Sequence, residues 1–209
     1  VIFVPNDRTT PRAAAFPLSR AAARQMSRRF WIVVALGAAP AAVRVAEAFL
    51  VLRATGLGLD PAWAPLVLVA MSLIYGAGAY PAGRLSDRLS ARTMVVAALA
   101  ALCAADLLLA FAASLPMFFC GVMLWGAHMA LAQGLFAKLV ADTAPETLRG
   151  TAFGLFNVAS ALALIVGNSA FGFIWAAQGA GVAYTIVAGA ALLVTVAAFV
   201  TLSPRPAPR

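Results

Sequence analysis

Six apolar blocks, each long enough to cross a bilayer, alternate with short polar breaks along the chain. A spanning helix needs about 20 mainly apolar residues. The first block runs from about Phe30 to Leu52, the second from about Trp63 to Ala82 and the third from about Thr93 to Ala113. The fourth runs from about Pro116 to Val140, the fifth from about Thr151 to Trp175 and the sixth from about Ala180 to Leu202. Turn-forming stretches separate them: "TGLGLDP", "SLP", "DTAPETLRG" and "QGAG". No block alternates apolar and polar positions over about ten residues, as a barrel strand would. Helices satisfy their own backbone in hydrocarbon, so the pattern predicts an all-α integral membrane protein with six transmembrane helices.

Composition agrees. Hydrophobic residues make up 64% of the chain and charged residues 11%, with a mean hydropathy of +0.95. Soluble domains are about half apolar and a quarter charged, so lipid is the expected solvent. The net charge of +8 falls between apolar blocks and forms no continuous face, which argues against nucleic acid as partner. Of the 15 Lys and Arg, all but Arg44 and Arg53 lie on one side of the predicted membrane. The positive-inside rule then puts both termini in the cytoplasm. Residues 1–29 read as a basic cytoplasmic linker, 30–202 as the membrane domain and 203–209 as a cytoplasmic tail. The start at Val1 and the linker-like opening are expected of a larger protein's middle or of a processed product. Cys103 and Cys120 sit in apolar runs and read as small buried hydrophobes, with no disulfide framework or metal site.

Between the second and third blocks lies "PAGRLSDRLSART", residues 81–93, which packs Arg84, Asp87, Arg88 and Arg92 into nine residues. Gly83 suits a tight turn there, and Asp87 precedes the third block where an acid favours a helix amino-terminus. The knot reads either as an inside-positive loop or as a conformational latch. "GRLSDRLSAR" resembles the loop signature of the major facilitator superfamily, found between the second and third helices of each six-helix half. Gly83, Leu85, Asp87, Arg88 and Arg92 match it; Ser90 stands for a glycine and Ala91 for a basic residue. "VADTAPETLRGTAFGLFN", residues 140–157, resembles the connection between the tenth and eleventh helices of bacterial exporters in that superfamily. Thr143 and Glu146 there are spaced as a capping box, with Arg149 and Gly150 following. Gly150 and Gly154 offer close helix contact. The resemblance implies the carboxy-terminal half of a twelve-helix transporter, helices seven to twelve, in the bacterial inner membrane. Its partners would be the amino-terminal half, a small-molecule substrate, protons and the lipid bilayer.

Ionisable groups inside the blocks carry the candidate chemistry. Arg44 lies about eight residues from its block's nearer end, about 12 Å deep at 1.5 Å per residue. Such a residue costs roughly 2.5–3.5 kcal/mol to insert. Arg44 and Glu47 share a helix face at i,i+3, and Pro40 four residues earlier is expected to kink the helix. They read either as a self-neutralising pair or as the lining of a water-filled cavity that takes substrate or a proton; the resemblance favours the second. Trp125, His128, Met129 and Gln133 fall within an arc of about 140° on the fourth block. His128 reads as a proton-coupling group or a satisfied packing residue, Trp125 and Met129 as a substrate wall or bundle core. Asp106 reads as a structural hydrogen-bonding acid, and Asn157 and Asn168 as cross-helix bonding residues.

No phosphate-binding glycine loop, Cys/His cluster or nucleophile–base pair is visible, so no enzyme, cofactor or metal is expected. The leading expectation is half of a proton-coupled exporter working by alternating access. The alternatives are a non-transporting six-helix scaffold or truncated product, and a six-helix subunit that transports as a homodimer.

Overall fold

The computed structural model describes residues 23–202. The rest of the expected linker and the tail lie outside the described residues. Seven α-helices lie wholly within the described residues, in order: α1 (Arg28–Val43), α2 (Glu47–Gly56), α3 (Ala64–Arg88), α4 (Ala91–Phe111), α5 (Leu115–Thr143), α6 (Arg149–Gln178) and α7 (Ala180–Thr201). Single 3-10 turns, Pro61–Trp63 and Glu146–Leu148, lead into α3 and α6. Six stretches are long and apolar enough to span a membrane; the first, Arg28–Gly56, consists of α1 and α2 with a break between them. The six expected blocks are therefore all present as helices, and the chain is an all-α integral membrane protein.

The ends differ from the hydropathy reading because a helix continues past the lipid boundary while its backbone bonds are satisfied. The largest difference is at the basic knot. α3 runs on through Gly83, Leu85 and Asp87 to Arg88, so only Leu89 and Ser90 separate it from α4. Gly83 is helical with open space around its α-carbon, and does not make the turn expected of it. The cap of α4 is Ser90, whose Oγ accepts the Thr93 N–H at 3.2 Å, and not Asp87. Ser27 caps α1 in the same way through the Phe30 N–H. Thr143 and Glu146 form no capping box: the Thr143 hydroxyl donates back to the Leu139 carbonyl at 2.7 Å, and Glu146 pairs loosely with Arg149 at 3.7 Å. Gly179, at φ 86°, ends α6 and starts α7 in a single residue, a backbone conformation that an L side chain resists.

α4 packs between α5 and α7, α3 lies along α5, and α1 lies along α6. Leu102, Leu109, Phe118, Val122, Trp125, Phe171 and Tyr184 fill the main core, together with Leu50 and Ala54 of α2. Smaller clusters around Phe30 and Val140, and around Met94 and Leu135, close the other end. α3 and α6 bury little of themselves, and Leu73, Tyr80, Ile165, Val166 and Phe173 face outward. Cys120 is exposed rather than buried, while the Cys103 thiol donates to the Ala188 carbonyl at 3.4 Å. The close approaches of backbones fall at other glycines than Gly150, which has open space. A Cβ on Gly126 would lie 2.6 Å from the Met71 carbonyl oxygen, and one on Gly167 would collide with that of Ala42.

Candidate functional site

The break in the first span organises the site. Pro40 has no N–H to give the helix, yet α1 continues helically to Val43. Arg44 then turns extended (φ −78°, ψ 115°), and so does Ala46 (φ −68°, ψ 147°). The broken turn leaves backbone groups without intrahelical partners, which is costly in hydrocarbon. Asn168 of α6 takes them up. Its Oδ1 accepts the Ala46 N–H at 2.7 Å, and its Nδ2 donates to the carbonyls of Arg44 at 3.3 Å and Leu164 at 2.9 Å. The adjacent Gly167, by lacking a side chain, lets α6 come close enough for this. The cross-helix bond expected of Asn168 is thus present, in the form of a clip on a discontinuous helix.

The break also overturns the expected face shared by Arg44 and Glu47. An i,i+3 neighbourhood requires continuous helix, and Arg44 through Ala46 are not helical. No ion pair joins the two side chains: among the described residues the ion pairs are Lys138–Asp87 and Arg149–Glu146. Glu47 is instead the first residue of α2, where its charge complements the helix dipole. Arg44 has its guanidinium carbon 5.8 Å from the centroid of the Trp125 ring.

Beside Arg44 lies an open-sided cavity of about 410 Å³ between α1, α5 and α6. Its polar lining is Arg44, His128, Gln133, Asn157 and Ser160, and its apolar lining includes Pro40, Phe136, Phe153 and Phe156. Phe136 and Phe156 stack across it, with centroids 6.1 Å apart. The Phe156 ring reaches over Gly37, where any side chain would block it. His128 holds a fixed orientation: its Nδ1 lies 2.7 Å from the Ala98 carbonyl, which can only accept, so that nitrogen carries the hydrogen. Gln133 accepts the Tyr75 hydroxyl at 2.7 Å. The Ser160 hydroxyl has no protein partner.

The structure therefore divides the expected α5 face. His128, itself only 3% exposed, and Gln133 line the cavity with Arg44, whereas Trp125 and Met129 belong to the main core. At about 100° per residue His128 and Gln133 stand at the two edges of the expected arc with Trp125 and Met129 between them, so the neighbours packed at each position, and not two sides of one arc, decide which residue lines the cavity. Asn157, expected as a cross-helix residue, and Ser160, which carries no signal in the sequence, stand one turn apart on α6 and join the site. Asp106 is fully buried and neither carboxyl oxygen has a protein partner, so the hydrogen bond expected of it is not made.

At the basic end, Asp87 Oδ1 accepts from Lys138 Nζ at 2.9 Å, tying the last turn of α3 to α5. Arg92 lays its guanidinium 3.6 Å from the centroid of the Phe199 ring on α7. Arg88 and Leu85 are exposed. Arg53 is fixed at the opposite end, donating to the carbonyls of Leu109, Ala110 and Ala112, where α4 finishes.

A membrane bundle of six spans, one of them broken beside a polar cavity, belongs to the transporter class of architecture. The Major Facilitator Superfamily model matches residues 31–209, and the chain belongs to that superfamily of transporters. No curated protein matches the chain.

Proposed function

We propose that the chain is one six-helix half of a secondary active transporter that exports small molecules by alternating access. The observation that supports this most directly is the cavity, which collects Arg44, His128 and Gln133 well inside the membrane-spanning segments. Ionisable groups at such depth are expensive and mark a substrate or ion path. The other half would cover the open side of the cavity and the weakly buried faces of α3 and α6, and the two halves would rock about the site between them. The proton gradient of a bacterial inner membrane is the driving force in this reading, with His128 as the candidate proton-exchanging group. Both termini lie in the cytoplasm by the Lys/Arg asymmetry.

The test is reconstitution of residues 1–209 in vesicles with and without a co-expressed amino-terminal half. Flux is followed across a panel of labelled compounds under an imposed proton gradient. Gradient-driven flux that needs both halves is the expected result. Flux from residues 1–209 alone would establish the homodimer reading, and no flux in either arm would favour a scaffold. Reporter fusions at residues 57, 115 and 178 are expected on the outside, and a cytoplasmic signal at any of them would refute the topology.

A further inference from the structure

The cavity carries one cation and no compensating acid. Arg44 makes no ion pair among the described residues, and none of the cavity's lining residues is Asp or Glu. Glu47, the nearest acid in sequence, is neither in the lining nor within ion-pair distance. Three of the other polar lining residues can donate hydrogen bonds: the Ser160 hydroxyl is without a partner, Asn157 has its side-chain amide, and Gln133 keeps its NH₂ group while its oxygen accepts from Tyr75; neutral His128 has its Nδ1–H on the Ala98 carbonyl and offers only an acceptor. A cation inside a membrane span without a counter-charge is disfavoured, and a guanidinium presents a planar fork that matches a carboxylate bidentately. With His128 neutral, one guanidinium neutralises one negative charge, so a dianion such as a phosphate monoester would leave net charge against Phe136, Phe153 and Phe156. The stacked Phe136–Phe156 pair offers a flat apolar surface for the remainder of the ligand. The volume, about 410 Å³, suits a small organic molecule.

We propose that this cavity binds a small organic monoanion, a carboxylate on an aromatic or branched apolar body, with Arg44 holding the carboxylate and the phenylalanines holding the body. The inference rests on the transport reading for its role as substrate site, and binding can be measured independently of flux.

The probe is benzoate, compared with the neutral benzamide and the cationic benzylamine. Binding is followed by calorimetry and by tryptophan fluorescence, since Trp125 lies beneath Arg44. The protein is the full chain with its partner half, in nanodiscs of zwitterionic phosphatidylcholine. Benzoate is expected to bind at least tenfold more tightly than benzamide, with benzylamine weakest. Arg44→Gln is expected to erase the preference and Arg44→Lys to retain part of it, because the charge remains while the fork is lost. Ser160→Ala is expected to weaken benzoate a few-fold.

Equal affinity for benzoate and benzamide in the unaltered protein would overturn the proposal, and that comparison stands even if Arg44→Gln fails to fold. A preference that survives Arg44→Gln would overturn it as well. Displacement of benzoate when anionic phosphatidylglycerol replaces part of the lipid would make the occupant a lipid headgroup, which also defeats it. Arg44-dependent benzoate binding without flux would sink the transport reading and leave the anion site standing. Flux of a neutral or cationic compound that benzoate does not inhibit would do the reverse.

Discussion

Replacing Asn168 by Ala removes a side chain that makes two bonds to the broken turn and one to its own helix. The Leu164 bond matters least, since that carbonyl belongs to α6 and retains its place in the helix. The other two satisfy the Ala46 N–H and the Arg44 carbonyl across more than 120 residues of chain. Interhelical hydrogen bonds in membrane proteins contribute about 0.6 kcal/mol on average, so the pair would contribute about 1.2 kcal/mol. Leaving a buried backbone group unsatisfied costs about 1–3 kcal/mol, and the shortest bond, at 2.7 Å, is the one to a backbone N–H. A loss of about 2 kcal/mol is therefore expected, a factor of about 30 in the unfolding equilibrium. The assay is SDS-driven unfolding from mixed micelles, joined to hydrogen exchange read at the Ala46 amide, which should lose protection by about the same factor. Ser169→Ala is the control, since Ser169 follows Asn168 on α6 and is exposed. A change below about 0.5 kcal/mol with Ala46 protection intact would refute the account of Asn168 as the clip, because the turn would then be stable by itself.

Gly126→Ala puts a methyl group 2.6 Å from the Met71 carbonyl oxygen and should destabilise the bundle by about 1–3 kcal/mol, while Gly134→Ala, in open space, should be neutral or slightly stabilising; unfolding curves of both variants decide it. Arg53→Lys keeps a cation at the end of α4 but loses the fork over three carbonyls, and should lower stability by about 1–2 kcal/mol in the same assay, with no loss pointing to α4 ending securely without it. The Lys138–Asp87 pair is exposed (47% and 74%), so Asp87→Asn should change stability by no more than about 1 kcal/mol, yet shift the inward/outward population by about 1.5- to 5-fold in cysteine-accessibility labelling. The exchange of both charges, Asp87→Lys with Lys138→Asp, should restore the original population; failure of that rescue would show that the pair does not set it.

The spans were legible because a bilayer imposes a length and a polarity on each helix, and both are written along the chain. What hydropathy could not locate were helix ends outside the lipid. "RLSDR" at residues 84–88 looks like a loop by charge, but its residues are compatible with helix and Ser90, two residues on, supplies the cap. The break at Arg44 to Ala46 was less accessible still. No glycine or proline occupies those positions, and Pro40, the local signal, precedes a further turn of helix. What stabilises the break is Asn168 with Gly167, a tertiary partner that no periodicity in the first span reports. The division of the α5 face between cavity and core had the same origin: the spacing of Trp125, His128, Met129 and Gln133 fixes their angles around one helix, while the neighbours at each angle are fixed by the bundle.

The same discontinuity that hid the site from sequence gives Arg44 its setting. In a continuous helix, Arg44 and Glu47 would stand on one face at a spacing that lets opposite charges meet. The extended residues Arg44 to Ala46 remove that spacing, and Glu47 becomes the dipole-complementing first residue of α2. The guanidinium is left beside a cavity with the Trp125 face nearby and no carboxylate in ion-pair reach among the described residues. A clip that holds the turn open therefore also keeps a cation available, so Asn168 and Arg44 should be energetically coupled although their side chains share no bond with each other. In a double-mutant cycle on benzoate affinity, Asn168→Ala should weaken binding in the unaltered background and have little further effect once Arg44→Gln has removed the charge. Additive losses would separate the clip from the cation and confine Asn168 to holding the fold.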